Sequence, residues 1–299
     1  LFLIKILNRF KSSIFRKIMK HTAVALIFLI SFVTLNAQVT SDIGQGKTNL
    51  GVISNIGNDA TSFFKTSLDF VQSPLHFDSR DFMITGIIIG STALSFALDN
   101  SIRNDMRRMH SSSMDNIMNV GEKLGAARYG LALSGGLYIG GHFVQEPELR
   151  KTGLMLAEAI FLNGITTEVL KVVIGRSRPF RNEGNNDLDF FRINDEDNSL
   201  PSGHTSTAFT IATVLSQRID NTFASIALYS FAGLTAIQRI YADRHWFSDV
   251  VLGAAIGTIV GLKVVKLNSE YDNQISSVKM NVYPVLGKKG YGAGLMLSF

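Results

Sequence analysis

The sequence predicts an all-α fold: a bundle of about six apolar helices, with a polar N-terminal arm before it and a short C-terminal β-hairpin after it. Three observations lead there. Hydrophobic residues fill 46% of 299 positions and charged residues only 18%, ample for one large core. The apolar residues gather into six runs of helical length, at 82–98, 129–144, 153–173, 205–215, 222–237 and 249–265, studded with Gly, Ser and Thr that permit close helix packing. The last residues then switch to period two.

In chain order, residues 1–37 read as a leader. They carry six basic side chains (Lys5, Arg9, Lys11, Arg16, Lys17, Lys20) and no acidic one. Met19 is the expected start, Lys20-His21 a short cationic region, and 23–35 an apolar stretch before a cleavage site at Ala37. Uncleaved, the same stretch would be an anchor. Setting the leader aside leaves 23 basic against 24 acidic residues, so the formal net charge of +5 is the leader's. No basic stripe with interleaved aromatics remains, which excludes a nucleic-acid partner. The absence of Cys excludes disulfides and thiolate metal sites.

Residues 38–80 are polar, with a weak helical patch at 62–71, and read as the arm. The bundle domain is expected over 81–268. Within it, 99–123 is a charged amphipathic connection, and 181–198 a polar loop whose six acidic residues read as solvated, with no metal assigned. At 277–299 the alternation of Val278 to Tyr283, a Gly287-Lys288-Lys289-Gly290 turn, and the alternation of Tyr291, Ala293, Leu295, Leu297 and Phe299 form the hairpin signature.

Three stretches carry chemistry. Lys171 and Arg178 stand two helical turns apart, so a helix continuing to its stop at Pro179 would aim both at one place. Pro201-Ser202-Gly203-His204 opens an apolar run: Ser202 is placed to cap the helix, Gly203 lets backbone approach a ligand, and the first amides would face an anion. Arg239 is followed by His245 and Asp249. These last two are four apart, so that on a helix the carboxylate would hold one imidazole nitrogen and leave the other for substrate. Together these are the parts needed to hold a phosphoryl group, attack it and protonate what leaves.

The set resembles the type 2 phosphatidic acid phosphatase superfamily, which includes lipid phosphate phosphatases, bacterial nonspecific acid phosphatases and vanadium haloperoxidases. Lys171, Arg178 and Pro179 match its first motif, 201–204 the second, and Arg239, His245 and Asp249 the third, with Gln238 where Ser is usual. The resemblance implies His245 as nucleophile, Asp249 as its orienting group and His204 as general acid. It implies Lys171, Arg178, Arg239, Ser202 and Gly203 as the phosphate cradle, without a metal or other cofactor. It implies a metal-independent phosphatase acting on phosphate monoesters or pyrophosphates, most naturally of lipids, through a phosphohistidine. A vanadate-dependent haloperoxidase and a soluble periplasmic acid phosphatase are the alternatives.

The leader and the apolar runs place the protein in a bacterial-type cell envelope, exported and either membrane-associated or periplasmic. Against six full spans stand the short runs and the polar Glu158, Asn163 and Glu168 inside the third. Arg103, Arg107 and Arg108 look like a cytoplasmic loop.

Overall fold

The computed structural model describes residues 47–192, 198–277, 279–287 and 290–298. The leader expected over 1–37 and the first part of the arm lie outside them, as does Lys288-Lys289 of the tail turn. The described part is almost entirely helical. The arm does not stay a loosely structured stretch. Lys47–Gln72 is one helix, α1, with Thr66 buried and Phe63 packed on Phe161. Its Asn, Ser and Thr residues hide the helical period in composition, and a tertiary contact decides the conformation.

The six expected apolar runs are six helices. α2 is Ser79–Ser95, started by a capping box in which Asp78 accepts from Asp81 N and Asp81 returns the bond. A 3-10 turn, Phe96–Leu98, leads into α3, Asp99–Arg108. α4, Ser112–Gly125, is capped by Ser111. The charged connection of the sequence is therefore two helices. α5 is Ala127–Phe143 and α6 is Pro147–Ile174, with Pro at its start and Gly175 in the left-handed conformation at its end (φ 60°). α7 is Gly203–Ile219, α8 Thr222–Tyr241 and α9 Phe247–Ser277.

The core lies between α6, α7 and α9, where Met155, Leu156, Ala159, Leu162, Val214, Val260 and Val264 are buried together. α9 presents Gly253, Gly257 and Gly261 to α7, one turn apart. A Cβ on Gly257 would stand 2.1 Å from the Ser206 carbonyl oxygen, so only glycine allows the two backbones this close. α6 runs toward one end of the bundle, α7 away from it, α8 toward it and α9 away again. Four helix ends thus meet in one place, and they carry the three motifs.

Among the described residues, four stretches are long and apolar enough to cross a membrane: Ser79–Arg108, Pro147–Ile174, Thr222–Tyr241 and Phe247–Asp272. Two of the three polar residues that seemed to argue against a span at α6 turn inward, while Glu168 stays exposed beside Lys171 Nζ, 2.9 Å away. Glu158 and Asn163 are fully buried; Glu158 accepts from Asn268 Nδ2 at 3.0 Å, and Asn163 bonds Ser206 and Thr207. The outer faces carry Ile87, Leu94, Phe161, Ile165, Phe223 and Ile226 exposed, a distribution suited to an apolar surround. Lys279–Gly287 and Gly290–Ser298 run as antiparallel strands with Met280 opposite Leu297. The fold class rests on the helices alone, and the terminal pair has no part in it.

Candidate active site

The first motif departs from expectation in its backbone. α6 stops at Gly175, so Lys171 lies in its last turn and Arg178 on an extended segment beyond it. The helix is ended by Gly175, and Pro179 instead opens a 3-10 turn. Arg176 and Ser177 form isolated β-bridges to Leu188 and Asn198, and Ser199 N donates to Arg176 O at 2.7 Å. The extended segment of the first motif is thereby laced to the residues that precede the second.

The second and third motifs are joined the same way. Ser202 N donates to Asp249 O at 3.0 Å. Ser202 is at the N-cap of α7, but its hydroxyl does not cap the helix; it pairs with Thr205 Oγ1 at 2.9 Å. Gly203 sits over the first motif, since a Cβ there would lie 3.6 Å from Lys171 Nζ. Lys171, Arg239, His245, Asp249 and Ser202 are all at least nine-tenths buried, and His204 and Arg178 are half-buried.

His245 precedes α9. Its Nδ1 donates to the Ser199 carbonyl at 2.8 Å, while Asp249 Oδ2 stands 3.5 Å away. Beside the expected partner Asp249, the nearer acceptor for Nδ1 is therefore the Ser199 backbone oxygen. It fixes the proton on Nδ1 and leaves the Nε2 lone pair toward Arg178 Nη1, 3.4 Å away. Asp249 also caps α9 by accepting from Trp246 N at 2.8 Å, and its charge lies close enough to favour positive charge on the ring.

Burial, with Arg178 and Arg239 adding, pushes His245 down to about 3 despite Asp249. Burial, then Arg239, Lys171 and Arg178, pushes His204 down to about 4. The same two arginines thus act on both imidazoles, which places the second and third motifs around one point. Arg239 Nε and Nη1 are buried with no partner in the protein. Two unsatisfied guanidinium donors among neutral imidazoles suit an anion. Gln238, the departure in the third motif, is buried against the α4 backbone at Gly121, and its Oε1 is unpaired.

One residue escaped the reading of motifs. Arg176 is fully buried and uses all its donors. Nη1 bonds Asp249 Oδ1 at 2.6 Å and Ser248 Oγ at 2.7 Å; Nη2 bonds Asp99 Oδ2 at 2.6 Å; Nε and Nη2 both bond Asn185 O. It ties α3 and the 181–198 loop to the carboxylate of the third motif. Two sequence signals were available. Arg176 is a charge set between helix-ending Gly175 and Arg178, and Asp99 is an acid closing an apolar run.

Residues 152–271 match the PAP2 superfamily. Among curated relatives, the lipid A 1-phosphatase of Porphyromonas gingivalis is 50% identical over 66 residues, 21% of this chain and 15% of that one. The lipid A 4'-phosphatase of the same organism is 35% identical over 66 residues, 22% and 28% of the two chains. The chain thus spans under a third of either relative's length. Of solved structures, LpxE of Aquifex aeolicus is 26% identical with a TM-score of 0.43, over 56% of this chain and 95% of that one. The similarity to the PAP2 superfamily thus covers the stretch of the chain that holds all three motifs.

Proposed function

We propose that the protein is a membrane-embedded phosphatase of the cell envelope that removes phosphate from phosphorylated lipids. The observation that carries this reading is the meeting of two neutral imidazoles and three cations, one of them the buried, unsatisfied guanidinium of Arg239, at one end of a bundle with an apolar outer face. The local identity to two lipid A phosphatases supports a glycolipid phosphate as the first substrate to try; other lipid phosphates and pyrophosphates present the same group.

The phosphoryl oxygens would bind Lys171, Arg178, Arg239 and the amides at the start of α7. His245 Nε2 attacks phosphorus in line as the bond to the leaving oxygen breaks. His204, bearing a proton, gives it to that oxygen. The product is a phosphohistidine, with positive charge on the ring opposite Asp249. Water then attacks the phosphorus, His204 takes its proton, and His245 leaves with inorganic phosphate released. The phosphate would also act on His204: its negative charge offsets the cations and raises the imidazole back toward protonation.

The test is phosphate release by the detergent-purified protein from a panel of lipid A, phosphatidate and isoprenoid pyrophosphate, with a metal chelator present. Release is expected on at least one substrate, and His245→Ala should lower it by about 10³-fold or more, the scale of losing a nucleophile. Full activity in His245→Ala would end the mechanism. Peroxide-driven halide oxidation appearing only with vanadate would move the protein to the haloperoxidases.

A further inference from the structure

We propose that Arg103, on a helix outside the matched segment, is a positioning residue that holds the nucleophile loop and the Arg178 loop in register. The kinetic part of this inference rests on the phosphatase reading; the anion-binding part does not.

α3 places Asp99, Arg103 and Arg107 at i, i+4 and i+8, on one face of the helix. Asp99 reaches Arg176 and also accepts from Ser248 N at 2.8 Å. One turn on, Arg103 spans two loops. Nε and Nη2 form a fork on the Asp243 carboxylate at 2.7 and 2.9 Å, two residues before His245. Nη2 also donates to Asn182 Oδ1 at 2.9 Å and to the Pro179 carbonyl, the residue after Arg178. Arg107 adds a bond to Asp243 Oδ2 at 2.8 Å. The Arg103 guanidinium lies 5.2 Å from the ring of Trp246, beside His245.

A second observation concerns the backbone. Asp243 and Asn182 both hold left-handed conformations, φ 56° and 58°. Asn and Asp tolerate such angles better than other non-glycine residues because their short side chains can hydrogen-bond, and here Arg103 bonds both side chains. Burial alone would raise the Asp243 carboxyl, but Arg103 and Arg107 hold it below the usual carboxylate range. The bridge is therefore charge-assisted on the nucleophile side and neutral on the Arg178 side. Only a planar fork with several donors serves both at once; an ammonium has a single nitrogen and must choose.

The arginines that the sequence suggested as a cytoplasmic loop thus sit at the active-site end, where packing explains two of them. Arg108 points elsewhere: its side chain is 81% exposed, with only Asp105 at 3.8 Å.

The experiment uses the full chain in detergent as wild type, Arg103→Ala, Arg103→Lys and Arg108→Ala. The readouts are the dissociation constant of orthovanadate by calorimetry, kcat and KM on a phosphorylated lipid, and the thermal midpoint. Arg103→Ala should weaken vanadate at least about tenfold and lower kcat about 100-fold, the scale of a misplacement near 1 Å, with KM moving far less. Arg103→Lys should fall between, and Arg108→Ala should match wild type. Wild-type vanadate affinity in folded Arg103→Ala, full rescue by Arg103→Lys, or no vanadate binding by wild type would overturn the proposal. If Arg103→Ala does not fold, Arg103→Lys and Asp243→Asn carry the same two readouts. Vanadate binding that weakens as expected in a protein that releases no phosphate would remove the phosphatase reading and leave the positioning role standing.

Discussion

Replacing Arg176 by Met tests the least visible part of the site. The side chain is fully buried, as are Asp99 and Asp249, which it bridges with two contacts of 2.6 Å. Methionine matches much of its length and removes all its donors. Two carboxylates then remain out of water without their cation, and Asn185 O and Ser248 Oγ lose a partner. Breaking a buried ion pair by deleting one member costs about 3–5 kcal/mol. At about 2–4 °C per kcal/mol for a domain of this size, the thermal midpoint in detergent should fall by roughly 6–20 °C. Lysine keeps the charge but cannot span both acids, and should cost about 2–3 kcal/mol, the value of two charge-assisted hydrogen bonds with partial compensation. The double variant with Asp99→Asn should be milder than the two single losses summed, by about 1–3 kcal/mol, because the residues share one network. A midpoint for Arg176→Met within about 2 °C of wild type, far below the expected effect, would refute the bridge as a structural element.

Two further outcomes follow from particular numbers. His245 and His204 have native values pushed down to about 3 and about 4, against 6.5 when unfolded. Below pH 6.5 the unfolded chain therefore binds protons that the native one refuses. The associated stability is present above pH 6.5 and is lost as the pH falls toward those native values. From pH 7.5 to 5.5 the two imidazoles should together cost roughly 3 kcal/mol, read as a falling midpoint; His245→Asn should halve that slope, and an unchanged slope would contradict the burial argument. At the α7–α9 crossing, Gly257→Ala should cost about 1–3 kcal/mol by overpacking, since its Cβ would strike Ser206 O. Gly233→Ala, with nothing within 4 Å, should be neutral or gain up to about 1 kcal/mol from helix propensity. Equal midpoints for the two would sink the contact argument.

What the sequence disclosed follows from how locally each feature is encoded. The six apolar helices were legible because hydrophobic runs of that length admit little else in one large core. The motif residues were legible because they sit at helix ends, where a Pro, a Gly or a charge stands out against apolar neighbours. α1 showed in the sequence only as a weak patch at 62–71, because its polar residues carry no clear period and its order comes from contacts such as Phe63 with Phe161. Arg176 and Arg103 were missed for a related reason. Their partners lie 73 and 140 residues away, and nothing near them announces the pairing. The pairing of His245 with Asp249 was legible from spacing, but spacing cannot see a carbonyl. Ser199 O, 46 residues back in the chain, stands closer to Nδ1 than the carboxylate does.

The electrostatics of the site would join binding to acid catalysis. Lys171, Arg178 and Arg239 are the groups that would grip a phosphoryl dianion, and with burial, the largest cause, they also hold His204 neutral. On the proposed mechanism His204 needs a proton that this field disfavours. Once an anion occupies the cradle, the field at the imidazole reverses and proton uptake becomes favourable. His245 feels two of the same cations, but its bond to Ser199 O holds the proton on Nδ1, so Nε2 is the nitrogen with a lone pair to offer. On the proposed mechanism, one bound phosphate would charge one imidazole while the other serves as nucleophile. That division of labour requires two different surroundings: His204 half-buried among cations at the mouth of α7, and His245 buried between Ser199 and Asp249. It also explains why a network of ordinary ion pairs behind the site, reaching back to α3, bears on chemistry at all. The asymmetry survives only while both loops keep their separate places.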